Sequence, residues 1–205
     1  MNIEVKYSTK SIDYSESMKI LEKRVQEVHE GKKGELLWLL EHNPVYTAGT
    51  SSKNSDLLDK KINVIKTDRG GKHNYHGKGQ KIIYFVLDLN KRGKDIRKLI
   101  TKIENCIIEV LKEYKIDSYA DRKNIGIWVG KKNNSMKIAA IGIRVKRWVA
   151  YHGFALNVSN NLSHFEKIIP CGIKNKKVTS LKKLGIKNYQ NIDNIITKKF
   201  LNIFL

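Results

Sequence analysis

Cysteine and proline are scarce in this chain: two of each in 205 residues. Two cysteines do not make a disulfide framework, so the reading is a reduced, cytoplasmic protein. The chain has no Pro-rich linker, internal repeat or low-complexity block to divide it, and its length suits one domain, residues 1–205. No apolar run reaches the ~18 residues that a membrane span needs, so no membrane association is expected. The opening stretch, MNIEVKYSTKSIDYSES, lacks an apolar h-region, and no secretory signal is expected. Acidic residues are also few, 20 against 40 Lys and Arg, for a formal net charge of +20. Only seven of the 40 are Arg. The excess of Lys runs alongside an excess of Ile and Asn, which reads as compositional bias. The same surface still attracts acidic partners. The basic residues are spread evenly rather than gathered in a stripe, which argues against a nucleic-acid-binding module.

Hydrophobic periodicity gives the elements. Residues 13–30 read as a helix with Met18, Leu21, Val25 and Val28 on one side, ended by Gly31 and Gly34. The run 35–42 reads as a buried strand, and 43–55 as a polar loop. Residues 62–68 and 81–89 read as strands. Residues 94–114 carry Ile96, Leu99, Ile100, Ile103, Cys106, Ile107, Val110 and Leu111 at helical spacing, which makes Cys106 a core residue. Further strands are expected at 125–130, 137–147 and 148–158, the last two joined as a hairpin. A short helix near 163–168 and a terminal helix at 189–203 complete the set. Strands and helices mix without strict βαβ alternation. The expected class is α+β, one mixed sheet with helices packed on it.

Four stretches look chemical. Residues 68–80 place Asp68, Arg69, four glycines, His73 and His76 between two strands. The spacing is neither a P-loop nor a dinucleotide fingerprint. Glycines there allow close backbone approach to a ligand, as they would in an ordinary glycine-rich hairpin. His73 and His76 lack nearby Cys or carboxylate partners, so no metal site is read. Lys137 opens the apolar run of Ile138 to Gly142, where most lysines in this chain are simply solvated. His152-Gly153 interrupts an apolar strand, which suggests a bulge or a close backbone approach. A buried structural histidine is the plainer reading of His152 alone. Cys171 sits between Pro170 and Gly172, in a bend that exposes its side chain and suits a nucleophile reached by a thioester or carbonyl.

Together these stretches resemble the lipoyl(octanoyl) transferase family, the octanoyl-[acyl carrier protein]:protein N-octanoyltransferases. The resemblance spans about Glu35 to Ser180 through EHNPVYTAGT (41–50), RGGKHNYHGKGQ (69–80), KIAAIGIRV (137–145), HGFALNV (152–158) and PCGI with VTSL (170–181). Two departures stand out: Lys78 where the family has Pro, and Lys72-His73-Asn74 where Gln-Val-Thr or similar is usual.

The resemblance implies the fold of the biotin and lipoate protein ligases, a mixed sheet flanked by helices. It implies an acyltransferase of protein lipoylation and lipoate biosynthesis that needs no cofactor or metal and works as a monomer. Cys171 matches the acyl-thioester nucleophile and Lys137 the lysine that favours its thiolate. Arg69, Gly70, Gly71, Lys72, His73, Asn74, Tyr75 and His76 match the first stretch of the acyl-substrate site. Ala140, Ile141 and Gly142 match the second, and His152, Gly153 and Phe154 the third. The implied donor is octanoyl-acyl carrier protein. The implied acceptors are lipoyl domains of 2-oxoacid dehydrogenase complexes and the glycine cleavage H protein. An ATP-dependent lipoate or biotin ligase of the same fold is the rival reading.

Overall fold

The computed structural model describes residues 2–169 and 177–205; Pro170, Cys171 and Gly172 lie outside the described residues. In chain order the strands are β1 (Ile3–Tyr7), β2 (Glu35–Leu40), β3 (Val45–Ala48), β4 (Val64–Lys66), β5 (His73–His76) and β6 (Gln80–Asp88). They continue with β7 (Ser118–Ala120), β8 (Ile127–Val129), β9 (Met136–Lys146), β10 (Val149–Asn157) and β11 (Lys177–Val178). The α-helices are α1 (Tyr14–His29), α2 (Ile96–Lys112) and α3 (Ile192–Phe204). The stretch near 163–168 is a short 3₁₀ helix, Leu162–Lys167. Asp13 and Asp95 cap α1 and α2, accepting from the Glu16 and Lys98 amides at 3.1 and 2.9 Å.

The main sheet runs β1-β2-β6-β10-β9-β8-β7, with β11 beside β9. β1 is parallel to β2 and β11 to β9, while the other neighbours are antiparallel, so the sheet is mixed as expected. Its central strands are apolar on both faces because both faces are covered. Leu37, Leu39, Ile83, Phe85 and Leu87 share one core with α2 and α3. Leu36, Trp38, Leu40, Ile82, Tyr84 and Val86 share the other with α1. Each such fully buried side chain is worth roughly 1.5–3 kcal/mol, so this double core anchors β6 and β10, the strands that carry the site. Cys106 lies in the first core with no exposure, as its helical spacing predicts.

A second sheet, β4-β3-β5, differs from the expected loops. Residues 43–55 contain β3, and the glycine-rich stretch contains β5. These strands are four residues each, and β5 reads HNYH. Strands that short and polar carry no period-2 apolar signal, and only their pairing reveals them. β9 and β10 form the expected hairpin, turning at Arg147 and Trp148, both at positive φ. No described helix is long and apolar enough to cross a membrane.

Candidate active site

A cavity of about 480 Å³ lies between the β4–β5 connection and the middle of β9 and β10. Its floor is made of small residues in register: Ala140 opposite Ala155, and Gly142 opposite Gly153. A side chain at Gly153 is sterically impossible, since a Cβ would sit 1.9 Å from the Ile83 carbonyl oxygen and φ is +156°. The interruption at His152-Gly153 is therefore a close backbone approach between β10 and β6, and the pairing register continues through it. The Arg69-Gly70-Gly71 loop is pinned over β9 by the Gly70 amide, which donates to the Ile143 carbonyl at 3.0 Å. A Cβ on Gly142 would meet the Gly70 carbonyl at 2.9 Å. Backbone thus meets backbone on both strands of the Gly142/Gly153 pair.

Arg69, Gly70, Gly71, Lys72, His73, Asn74 and His76 line the cavity together with Lys137, Ala140, Ile141, Gly142, His152, Gly153 and Phe154. Tyr75 does not. Its ring turns away, into a cluster with Phe165 and Ile168 and stacked on His164 at 4.3 Å. Tyr14 and Tyr84 also line the cavity and have no signal in the chemical motifs, and Gln80 and Asn157 line it from within motifs without having been singled out. Gln80, the last residue of HGKGQ, was visible only as part of a motif.

The walls near β5 carry a hydrogen-bond chain. Gln80 donates through Nε2 to the Tyr75 carbonyl (3.2 Å) and to Asn157 Oδ1 (2.9 Å). Its Oε1 therefore faces His76 Nδ1 at 2.8 Å and accepts from it. Burial holds the His76 pKa well below the usual range, so His76 is neutral with its lone pair at Nε2. Asn157 passes the chain on, donating to the Thr179 carbonyl at 3.0 Å, and the Thr179 amide donates to the Lys137 carbonyl at 2.9 Å. The motifs HGxGQ, HGFALN and VTSL are thus joined physically. Arg69 spans the other way, donating through Nη2 to the Thr47 carbonyl and hydroxyl at 3.2 and 2.7 Å.

His42, of the EHNPVYTAGT stretch, lies behind this wall. Its Nδ1 donates to the Ile12 carbonyl (2.8 Å), so Nε2 accepts from the Tyr84 hydroxyl (2.8 Å). Burial lowers its pKa to about 4. Between the unfolded pKa of ~6.5 and the folded value, the unfolded chain binds a proton that the folded chain does not. Stability is then full above ~6.5 and is lost as pH falls to about 4, by on the order of 3 kcal/mol for His42 alone. His76 acts in the same direction. Urea midpoints at pH 7 and pH 4.5 should show this loss, and His42→Gln should shrink it. A wild-type stability flat across that interval would contradict the neutral buried histidine.

Lys137 is almost fully buried at the cavity wall. Its Nζ donates to the Ile125 carbonyl at 2.7 Å and lies 4.8 Å from the centre of the Trp128 ring. Gly126 makes room for it, since a Cβ there would sit 2.8 Å from Nζ. At the other end, Nε2 of the buried His152 lies 2.7 Å from Asp68 Oδ1, and the Tyr151 hydroxyl donates to Asp68 Oδ2. The His152 hydrogen bond is the main reason the Asp68 pKa falls to about 2. The departure at Lys72 has a local partner, Asp56, at 3.5 Å. The other cysteine, Cys106, has its thiol pKa pushed up to about 12 by burial and is chemically inert at neutral pH.

The family model "Lipoyl protein ligase A/B catalytic domain" matches residues 13–201. An octanoyltransferase of Wolbachia pipientis subsp. Culex pipiens is 48% identical over 199 residues, 96% of this chain and 97% of its own. A candidate lipoate protein ligase of T. acidophilum, solved with bound lipoic acid, superposes with a TM-score of 0.75 at 16% identity, covering 99% of this chain and 86% of its own. The bipartite lipoate protein ligase of Thermoplasma acidophilum, studied with its E2 lipoyl domain, gives a TM-score of 0.69 at 12% identity, covering 98% of this chain and 84% of its own. The fold is that of the lipoate protein ligases, and the chain belongs to the lipoyl protein ligase A/B catalytic domain family as an acyltransferase enzyme of the octanoyltransferase kind.

Proposed function

We propose that this enzyme moves an octanoyl group from octanoyl-acyl carrier protein to a lysine of a lipoyl domain, through an acyl thioester on Cys171. The observation that carries the reading is the cavity floored by Ala140, Ala155, Gly142 and Gly153, with Lys137 buried in its wall. Such a trough suits an apolar tail, where each buried methylene adds roughly 0.8 kcal/mol. In the first step the Cys171 thiolate attacks the thioester carbonyl. A carbon–sulfur bond forms to Cys171, the bond to the carrier's pantetheine sulfur breaks, and that thiolate leaves and takes a proton. In the second step the acceptor amine attacks the same carbonyl, a carbon–nitrogen bond forms, Cys171 leaves as thiolate, and Lys137 receives the amine proton. Thioester exchange is nearly balanced and amide formation is downhill, so the donor's own activation suffices and ATP is not required.

Residues 1–205 act as one catalytic domain, a cytoplasmic monomer early in lipoate biosynthesis. The acceptors are lipoyl domains of 2-oxoacid dehydrogenases and the glycine cleavage H protein. The net charge of +20 draws in acidic partners, and association slows as salt rises.

The test is an intact mass after mixing the enzyme with octanoyl-acyl carrier protein. One octanoyl increment, mapped to Cys171, is expected, and it should disappear on adding a lipoyl domain. Transfer that instead needs free octanoate, ATP and Mg²⁺ would make the enzyme a ligase.

A further inference from the structure

The cavity has a polar stop at the end away from Lys137. Because β9 and β10 are antiparallel, it runs from Lys137 and Asn157 to Ile143 and His152, which are paired in register. Strand rise of ~3.4 Å per residue puts about 20 Å between the Lys137 and Ile143 Cα atoms. The lysine arm and the His152 ring occupy the two ends. An extended octanoyl group, at ~1.25 Å per staggered carbon–carbon bond, is about 9 Å from carbonyl to methyl. With its carbonyl at the Lys137 end, such a chain would span the stretch floored by the Ala140/Ala155 and Gly142/Gly153 pairs, which Ile82 and Tyr84 flank from β6, and would reach His152.

His152 is built not to move. Its φ is +65°, a left-handed conformation that a non-glycine residue adopts at a cost. Strand alternation is broken there, so the consecutive rings of Tyr151 and His152 stack at 4.7 Å and both reach the Asp68 carboxylate. Tyr84 meets the imidazole edge-on at 6.3 Å. A leucine at this place could swing aside for a longer tail. Moving His152 breaks its hydrogen bond to the half-buried Asp68 carboxylate. Its Nδ1 is buried and has no partner among the described residues, so a terminal methyl pressed past the ring would find no favourable surface.

We propose that His152 is the distal stop that sets acyl chain length, and that Asp68 is the positioning residue that locks it, with Tyr151 holding the carboxylate. The proposal rests on the octanoyl reading with the reacting carbon at the Lys137 end. It assigns Asp68 a role in specificity although it belongs to the loop rather than to the cavity lining.

The test compares octanoyl, decanoyl and dodecanoyl thioesters of acyl carrier protein as donors. Wild type should discriminate against decanoyl by about tenfold or more in kcat/KM. In His152→Ala the decanoyl-to-octanoyl ratio should rise about tenfold, the worth of two newly buried methylenes. Asp68→Ala should shift the ratio in the same direction, and Asp68→Asn, which keeps an acceptor for Nε2, by less. A folded His152→Ala with the wild-type ratio overturns the stop, and a folded Asp68→Ala with that ratio overturns the lock. If His152→Ala does not fold, wild type still decides: decanoyl and dodecanoyl transferred as fast as octanoyl would overturn it. A wild-type enzyme that takes no acyl group from any carrier thioester would instead sink the underlying reading.

Discussion

Cys171→Ala is expected to fold normally and to lose transfer by at least ~10³-fold, because the proposed path has no other nucleophile to carry the acyl group. Cys106→Ala is expected to keep transfer largely intact and to lose roughly 1 kcal/mol of stability, the consequence of a small cavity in the core. Cys106 makes the control sharp. It is fully buried on α2, and its thiol pKa is pushed up to about 12, so it supplies almost no thiolate at neutral pH. The proposed nucleophile, Cys171, lies between Pro170 and Gly172 in the sequence, away from the periodic apolar pattern that places Cys106 in the core. Acyl-enzyme formation by mass and transfer to a lipoyl domain should be measured for both variants. Loss of activity in Cys106→Ala with normal activity in Cys171→Ala would reverse the assignment.

The long elements were legible because burial writes a period into the sequence. The runs at 36–40 and 82–87 are apolar throughout because α1 covers one face of the sheet and α2 with α3 the other. The stripe from Leu99 to Leu111 is equally local. β1 and β7 passed unread: β1 alternates apolar and polar over only five residues, β7 has three, and both are edge strands. The site was legible as residue types in motifs, and its couplings were not. Asp68 stands next to Arg69 in the sequence, yet its partner lies 84 positions away, brought there by a positive φ that no local pattern announces. His152 was most plainly read as a satisfied core histidine. It is buried, but only one of its nitrogens is satisfied among the described residues. Tyr75 stands apart from its neighbours in the motif because its ring packs against Phe165 and His164, a contact made by a segment far along the chain that no local pattern announces.

Lys137 separates two mechanisms, and its surroundings say how to test them. An ammonium placed beside a thiol favours the thiolate electrostatically. A buried amine can also take the proton that the attacking lysine must lose. The first role needs only a charge; the second needs a group that can give the proton up. Lys137→Arg keeps the charge and cannot act as a base, because guanidinium does not deprotonate in proteins. We expect Lys137→Arg to form the octanoyl-enzyme and then to stall, with the second step slowed by ~10²-fold or more. Lys137→Met preserves length and packing beside Trp128 and Gly126 while removing the charge. It should slow both steps, and raising the pH towards the ~8.5 of a free thiol should restore part of the first by supplying thiolate. Single-turnover kinetics with octanoyl-acyl carrier protein, followed by chase with a lipoyl domain, resolve the two steps. Turnover of Lys137→Arg near the wild-type rate would remove the base role. A Lys137→Met enzyme that acylates at the wild-type rate at neutral pH would remove the cation role as well, leaving Lys137 a structural donor to the Ile125 carbonyl.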